Sequence, residues 1–213
     1  MQEELLPLFP LRVVLFPRTP LPLHIFEERY KEMIGEAIRN NHEFGVVLAR
    51  EKGIVDTGCT AVVEKVLKRY PDGRLDILTM GRRRFEILLL NDEKTYLRGA
   101  VNFFDDEEPG PASQELRQRA LEAYQALQEL DESPASQEPA ITDPQLSFQV
   151  AQLIPDLDFR QLLLASRSEP ERMKHLAKFL PDYVTKHGLE SHLKRVAPLN
   201  GRGRWTPPSS DSA

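Results

Sequence analysis

Prolines interrupt every short apolar run in the first thirty residues of the chain. They stand at Pro7, Pro10, Pro17, Pro20 and Pro22. A proline inside a helix removes a hydrogen-bond donor and clashes with the preceding turn. This part of the chain therefore cannot form one long helix, and the sequence predicts short extended elements instead.

The spacing of apolar residues predicts what those elements are. We expect strands at 5–9 and 13–16, because β-branched Val13 and Val14 favour a strand. The three later prolines indicate an irregular connection. Apolar residues then recur at helical spacing, which predicts a helix at 25–40.

Strand signals continue through the next sixty residues. Apolar runs predict strands at 44–49 and 60–70, and the Tyr-Pro-Asp-Gly segment at 70–73 is typical of a tight turn. A partner strand begins at Leu75, with a bend or bulge expected at Gly81. With a final strand near 97–103, about six closely spaced strands and one helix predict a small, mostly antiparallel barrel.

After the acidic, proline-flanked segment 105–111, the apolar residues change from strand spacing to helical spacing. Helices are expected at 116–130, at 146–153, near 159–163 and after a capping box formed by Ser168 and Glu171. That last helix is expected to kink at Pro181 and to end at Gly188, before a short helix at 189–196. The sequence therefore predicts an α+β fold, in which a β-barrel containing one helix precedes an α-helical bundle.

The sequence therefore predicts three regions along the chain. A β-rich subdomain is predicted at 1–108 and a helical subdomain at 109–197. The Gly-, Pro- and Ser-rich segment 198–213 has the composition of a disordered tail.

Composition and charge exclude several classes of protein. The formal net charge is −5, and neither half is basic, so nucleic acid is not favoured as a partner. One cysteine, Cys59, leaves no intrachain disulfide and no multi-cysteine metal site. No apolar stretch approaches the roughly 20 residues of a membrane helix, and the acidic N-terminus differs from a signal peptide. We expect a cytoplasmic protein that does not contact a membrane.

Seven segments resemble the N-terminal domain of Lon proteases, also called the LON substrate-binding domain. They include Pro-Leu-Phe-Pro-Leu and Leu-Pro-Leu-His-Ile-Phe-Glu-Glu-Arg-Tyr, and lie at 7–11, 15–17, 21–30, 44–47, 58–61, 72–74 and 81–85. The resemblance is strong over about 5–104 and looser in the helical half. It implies a PUA-like β-barrel followed by a helical bundle. In Lon proteases this domain helps to capture unfolded or tagged polypeptides, which are thus the expected partners.

The chain departs from full Lon proteases in its chemistry. Their ATPase module carries a P-loop, G-x4-G-K-[ST], and this sequence contains no Gly-Lys dipeptide. The Gly-rich context of their serine–lysine dyad is also missing, and 213 residues leave no room for either module. We therefore expect a non-catalytic polypeptide-binding protein, suited to protein quality control or an adaptor role, with a separate ATPase or protease as a further candidate partner.

No residue pattern predicts a catalytic, metal or cofactor site. His24 and Glu27 stand three apart without a third group, and His187 and His192 lack the spacing of a helical metal pair. Cys59 is predicted to be a small buried residue. We expect structural roles for His24, Glu27 and Cys59.

Two sets of residues remain candidates for binding. The candidate polypeptide contacts, in a groove expected between barrel and bundle, are Phe16, Leu21, Leu23, Phe103 and Phe104. These apolar side chains could equally close the barrel. Arg82, Arg83 and Arg84 support an alternative, an RNA- or nucleotide-binding PUA-like module. Against it, successive strand residues face opposite sides, and no aromatic residues alternate with the arginines.

Overall fold

Strands dominate the first half of the chain and helices the second. The structure is a computed structural model that describes residues 5–107, 110–130 and 139–200. The first half contains β1 (Leu6–Leu11), β2 (Pro20–Ile25), α1 (Glu28–Asn40), β3 (Phe44–Arg50), β4 (Gly53–Arg69), β5 (Leu75–Asn91) and β6 (Arg98–Phe104). The second contains α2 (Gln114–Leu130), α3 (Leu146–Val150), a 3₁₀ turn (Ala151–Leu153), α4 (Leu157–Ala165) and α5 (Glu169–Asn200). The predicted α+β fold is confirmed.

The described strands form one mixed sheet that closes on itself. Their order is β2-β5-β4-β3-β1-β6, and an additional β5–β6 pairing closes a ring of five strands. Only the β1–β3 pair is parallel; the others are antiparallel. The ring closes because β5 is long enough to change partners: residues 75–80 pair with β2 and residues 84–91 pair with β6.

Gly81 marks the point where β5 changes partners. Cys59 and Ala61 of β4 pair with Arg84 and Gly81, so β5 carries one extra residue there, as in a β-bulge. Gly81 also packs against the loop before β2, where an added Cβ would lie 2.1 Å from the carbonyl oxygen of Phe16. No residue with a side chain fits, and the predicted bend or bulge at Gly81 is confirmed.

The proline-rich segment before α1 differs from the prediction in where its strand lies. Segment 13–16 is not a strand, whereas Pro20–Ile25, expected to be irregular, forms β2. β2 is an edge strand, paired only with β5 among the described residues. Pro20 and Pro22 stand two apart, so both missing N–H groups lie on one side of the strand, and an edge tolerates this. The helix prediction is confirmed, although α1 begins at Glu28 instead of residue 25.

The helical half follows the predicted order with one exception. The Ser168 cap is confirmed, since its hydroxyl accepts a hydrogen bond from the backbone N–H of Glu171. However, α5 runs without a break through Pro181 and Gly188 to Asn200, so the predicted end at Gly188 and separate helix at 189–196 are wrong. Glycine and proline weaken a helix locally but do not by themselves end it. Of the predicted tail 198–213, residues 201–213 lie outside the described residues.

The larger of two buried apolar clusters extends across both halves. Phe16, from the loop before β2, stacks on Phe148 of α3 with ring centroids 5.0 Å apart. A second, smaller cluster is formed by Leu8, Val47 and Phe85. The subdomain boundary near 108 stays a prediction.

Candidate functional site

A groove opens at the seam where β1 meets β6. Among the described residues these strands pair only at Leu6 with Gly99 and at Pro7 with Arg98, and the N–H of Leu8 also donates to the carbonyl oxygen of Leu97 just before β6. In the described part of the chain, residues 100–104 of β6 pair with β5 alone. The groove beside this stretch has a volume of about 650 Å³, within the range of ligand-binding pockets.

Exposed apolar side chains line this groove. Leu88 is 63% exposed and Phe103 is 40% exposed. Leu88 stands at a second irregularity of β5: Ile87 pairs with Val101 and Leu89 with Ala100, which leaves Leu88 as the extra residue. A bulge re-aims the side chain that it carries, so Leu88 lies in the groove while Ile87 packs against the small buried cluster.

A polar cluster joins α1 to the loop before β6 at the rim of the groove. The hydroxyl of Tyr96 donates to Glu36 at 2.7 Å, and the Lys94 ammonium lies 2.9 Å from that hydroxyl. The hydrogen bond from Tyr96 lowers the pKa of Glu36, and burial raises the pKa of Tyr96. A hydrogen bond with Tyr96 and one with Glu36 raise the pKa of Lys94. All three shifts point away from neutrality, so near pH 7 Glu36 stays ionised while Tyr96 and Lys94 stay protonated, which suits binding more than proton transfer.

The structure brings together two residues that the sequence assigned to different hypotheses. The guanidinium carbon of Arg83 lies 3.8 Å from the ring centroid of Phe103, and both residues line the groove. Arg83 is also paired with Glu43 at 3.0 Å. Glu43 thus orients the Arg83 guanidinium, and the guanidinium packs on the Phe103 ring in the groove.

Arg84, the next residue, lies on the opposite side of the hairpin and is buried. It binds Asp106 at 2.6 Å and donates to the carbonyl oxygen of Ser166 at 2.5 Å. Asp106 also binds Arg172 at 2.6 Å, and Arg172 binds Glu169 at 2.8 Å. Burial alone would raise the pKa of Asp106, but the guanidiniums of Arg172 and Arg84 hold it below its ordinary value. This network ties the end of β6 to the first turn of α5.

The arginine run does not present a basic surface. Arg82 is exposed but paired with Glu64 at 3.0 Å, and Arg83 is paired as described. Arg84 is 2% exposed, so a bound nucleic acid could not contact it. Each positive charge therefore faces a carboxylate, which leaves little field to attract phosphates.

The predicted polypeptide contacts separate into two groups. Phe16 and Phe104 are buried, and Leu21 and Leu23 are half-buried and pack against the main core. Phe103 alone of the five is exposed and lines the groove. The groove itself lies on the barrel, and none of its lining residues belongs to the helical half, where the sequence had suggested one wall.

The remaining candidates have structural partners. His24 binds Asp76 at 2.6 Å, whereas Glu27 binds Arg29 at 2.7 Å. Cys59 is fully buried, and burial raises its pKa to about 12. His187 and His192 lie outside the residues whose side chains are described. Across the described residues no group of three metal-ligating side chains occurs, and no helix is long and apolar enough to cross a membrane.

Sequence reasoning missed Leu88 and the cluster of Glu36, Lys94 and Tyr96. A signal for the first was present, because Leu88, Leu89 and Leu90 follow one another in a strand. Successive strand residues face opposite sides, so three leucines in a row cannot all enter one core. The cluster is formed by residues almost sixty positions apart and leaves no local pattern.

Comparison with known proteins shows the same domain in longer proteins. The chain is 32% identical over 122 residues to the Lon protease of Parabacteroides distasonis and 26% identical over 181 residues to Lon protease 1 of Hydrogenovibrio crunogenus. These matches cover 53% and 78% of this chain but only 15% and 22% of the relatives. The chain thus spans less than a quarter of the curated relatives that it matches.

Solved structures show the same fold. The Lon N-terminal domain protein from Xanthomonas campestris matches with a TM-score of 0.69 and 24% identity, over 84% of this chain and 99% of that one. The N-terminal domain of the Mycobacterium avium complex Lon protease matches with a TM-score of 0.54 and 16% identity, over 86% and 100%.

A family model agrees with both comparisons. It describes the ATP-dependent protease La (LON) substrate-binding domain and matches residues 5–182. The resemblance seen in the sequence is thereby confirmed. Because the match extends over well more than half of the chain, the protein belongs to the LON substrate-binding domain family.

Proposed function

We propose that this protein is a non-catalytic domain that binds polypeptide segments in the groove between β1 and β6. The observation that supports this most directly is the exposure of Leu88 and Phe103 in a groove on the barrel surface. Exposed apolar side chains that line a groove are a common feature of surfaces that bind polypeptide.

The chemistry of the groove supports binding over catalysis. Tyr96, Lys94 and Glu36 each have a pKa shifted away from neutrality, so none is poised to transfer a proton near pH 7. The ion pair of Arg83 with Glu43 adds charged groups to a groove that also exposes Leu88 and Phe103. Such a surface would hold segments that carry apolar side chains without demanding one particular charge.

Family membership supports the class of partner. The relatives are named Lon proteases, and the matched domain is named for substrate binding. We therefore include in the proposal unfolded or tagged polypeptides as clients, a role in protein quality control or as an adaptor, and a cytoplasmic location. A separate ATPase or protease would receive what is bound.

The proposal is tested by titrating the ¹⁵N-labelled full chain with an unfolded polypeptide rich in apolar residues. We expect concentration-dependent shifts in the amides of residues 100–104. Leu88→Ser should weaken binding about tenfold, because one apolar side chain contributes roughly 1.4 kcal/mol when covered.

The matched control is Leu67→Ser. Leu67 is also an exposed leucine in a strand, at 52%, but does not line the groove. Its substitution should leave affinity unchanged. No amide shifts at high micromolar polypeptide, or equal losses in both variants, would contradict the proposal.

A further inference from the structure

Three neighbouring strands place nine side chains on the outer face of the barrel. Side chains directly opposite each other in antiparallel strands share a face, and the face alternates along each strand. Because Ile77 and Thr79 of β5 are buried, the residues that alternate with them face outwards. The register of β5 with its neighbours then defines the β2–β5–β4 face as Pro20, Pro22 and His24 of β2, Asp76, Leu78 and Met80 of β5, and Val62, Lys65 and Lys68 of β4.

We propose that the β2–β5–β4 face docks an amphipathic helix of a partner protein, with acidic residues at one end of the apolar stripe of that helix. None of the nine residues of the face lines the groove beside β6. The inference therefore goes beyond the proposed function and does not depend on it.

Apolar side chains make up most of the face without belonging to the core. Pro20 and Pro22 are exposed. Val62, Leu78 and Met80 are part of neither buried cluster, whereas the inward side chains of the same strands pack on the main one. An antiparallel sheet commonly packs one face on the core and exposes a polar one. A sheet that is apolar on both faces is suited to packing against a further element on its outer side.

One end of the face is positively charged. Lys65 and Lys68 are exposed, and in the described part of the chain neither forms an ion pair. Lys68 lies instead over the ring of Tyr70, 4.4 Å from its centroid. Asp76, the one carboxylate of the face, is bound by His24 at 2.6 Å and by the hydroxyl of Tyr70 at 2.8 Å. A complementary partner is therefore one that supplies carboxylates to the two lysines.

The face favours a helix over other polypeptide conformations. A sheet presents side chains on its face, whereas its backbone hydrogen bonds lie between the strands. An extended segment laid on the face would bury its own N–H and C=O groups without partners, which costs free energy. A helix satisfies those groups internally and can present an apolar stripe.

The dimensions of the face match a short stretch of helix. Three strands span roughly 10 Å, which is close to the diameter of a helix with its side chains. Along β5, the distance from Asp76 to Met80 is about 14 Å, which roughly nine residues of helix would cover. The apolar stripe of such a helix would lie on Leu78 and Met80, and carboxylates one turn further along would reach Lys65 and Lys68.

A second copy of the chain is a poorer match to this face. Its own β2–β5–β4 face would bring two more lysines, and its one carboxylate is already bound by His24 and Tyr70. The lysines of both copies would therefore stay without carboxylates. Charge complementarity thus favours a different protein that carries acidic residues.

The test measures the binding of two designed peptides to the full chain by fluorescence anisotropy. The first is a capped, labelled peptide of about 18 residues, which is long enough to form a helix on its own. It carries leucines at positions i, i+3, i+4 and i+7 and glutamates at i+10 and i+11. The second has lysines in place of the glutamates. At low salt, the wild type should bind the glutamate peptide at least about fivefold more tightly than the lysine peptide.

Charge exchange tests the basic end of the face. Lys65→Glu combined with Lys68→Glu should weaken binding of the glutamate peptide roughly tenfold and strengthen binding of the lysine peptide. Lys65→Gln combined with Lys68→Gln adds no repulsion with Asp76 and should give an intermediate loss. The matched control is Lys52→Glu, because Lys52 is exposed in the turn between β3 and β4, outside the face. It should leave both affinities unchanged.

Two leucine variants locate the bound peptide. Leu78→Thr keeps the strand propensity of the position but removes apolar surface, so it should bind the glutamate peptide roughly three- to tenfold more weakly. Its melting temperature should stay close to that of the wild type. Leu88→Ser, in the groove, should bind the glutamate peptide as the wild type does. If Leu88→Ser weakens this peptide and Leu78→Thr does not, the peptide lies in the groove and the inference is wrong.

Other results would also overturn the inference. They are the absence of binding at high micromolar glutamate peptide, equal binding of both peptides by the wild type, and equal losses in Lys52→Glu and the Lys65 and Lys68 variants. Sedimentation with phosphatidylserine vesicles that is lost in the Lys65 and Lys68 variants would assign the face to a membrane surface. Dimers of the wild type that Leu78→Thr dissociates would assign it to a second copy.

Discussion

The two sides of the β5–β6 hairpin carry neighbouring residues of the same types with opposite surroundings. Arg84 and Phe104 are buried against the helical half, where Asp106 neutralises the guanidinium. Arg83 and Phe103, one position earlier in each strand, stack on each other at the mouth of the groove. Composition is therefore no guide to the role of these side chains; their position relative to the helices decides it.

The difference separates stability from binding within one pair of strands. On the helical side Asp106 joins Arg84 to Arg172, and the Phe104 ring is covered by the guanidiniums of Arg84 and Arg167. On the groove side the Phe103 ring is 40% exposed. Substitutions on the first side should lower stability, whereas those on the second should affect affinity.

The largest effect is expected from Asp106→Ala. It leaves Arg84 and Arg172 buried without their shared carboxylate, and removing one partner of a buried pair costs about 3–5 kcal/mol. Chemical denaturation measures the loss. Asp92→Ala, in the exposed loop of the same hairpin, should change the free energy of unfolding by less than about 0.5 kcal/mol. Equal effects in the two variants would show that the network does not join the two halves.

Alanine at Phe104 and at Phe103 gives the most direct test of the comparison. Truncation of a buried phenylalanine costs about 3–5 kcal/mol, so Phe104→Ala should be strongly destabilising. Phe103→Ala should cost no more than about 1 kcal/mol, because its ring is exposed and loses one cation–π contact. Thermal and urea unfolding of both variants measure the difference. Similar losses would contradict the division between the two sides.

Gly58→Ala should have an intermediate effect inside the barrel. A Cβ at Gly58 would lie 2.5 Å from Cζ of Phe85 and 2.6 Å from the carbonyl oxygen of Val46, so the strands must shift. Overpacking of this kind costs about 1–3 kcal/mol. Gly110→Ala is the control, since no atom lies within 4 Å of its Cβ. Adding Phe85→Leu to Gly58→Ala should cost less than the sum of the single changes, because leucine lacks the ring atom in the way.

The titration of Asp106 should change the free energy of unfolding least near neutral pH. Burial acts against its ionised form, but Arg172 and Arg84 lower its pKa in the folded protein. The stability that it contributes is therefore complete above about pH 4, the ordinary value for an aspartate, and is lost as the pH falls through the lowered pKa. Urea unfolding as a function of pH should show a shallower acid slope for Asp106→Asn than for the wild type. Parallel slopes would contradict this.

Local sequence patterns predicted the elements that depend on local chemistry. The turn before β5 has Gly73 at a φ of 84°, and α1 ends at Asn41 in the left-handed region, as glycine and asparagine there suggest. β2 was missed because only its position at the edge of the sheet makes Pro20 and Pro22 acceptable. Of the residues that line the groove, the sequence had suggested only Phe103, as a polypeptide contact, and Arg83, for the nucleic-acid alternative. Arg84 is buried because Asp106 and the helical half cover it, and the pattern of residues within β5 alone cannot predict these distant contacts.

The two-pair seam between β1 and β6 also has a consequence for how the chain folds. Leu6 and Gly99 are more than ninety positions apart, so their pairing closes one of the longest loops in the barrel. Closing a long loop costs entropy before its contacts form, and contacts of high sequence separation slow folding. We expect the seam to close late and to exchange its amide hydrogens early. The proposed binding groove thus lies beside a seam that we expect to open more easily than the longer ladders of the barrel.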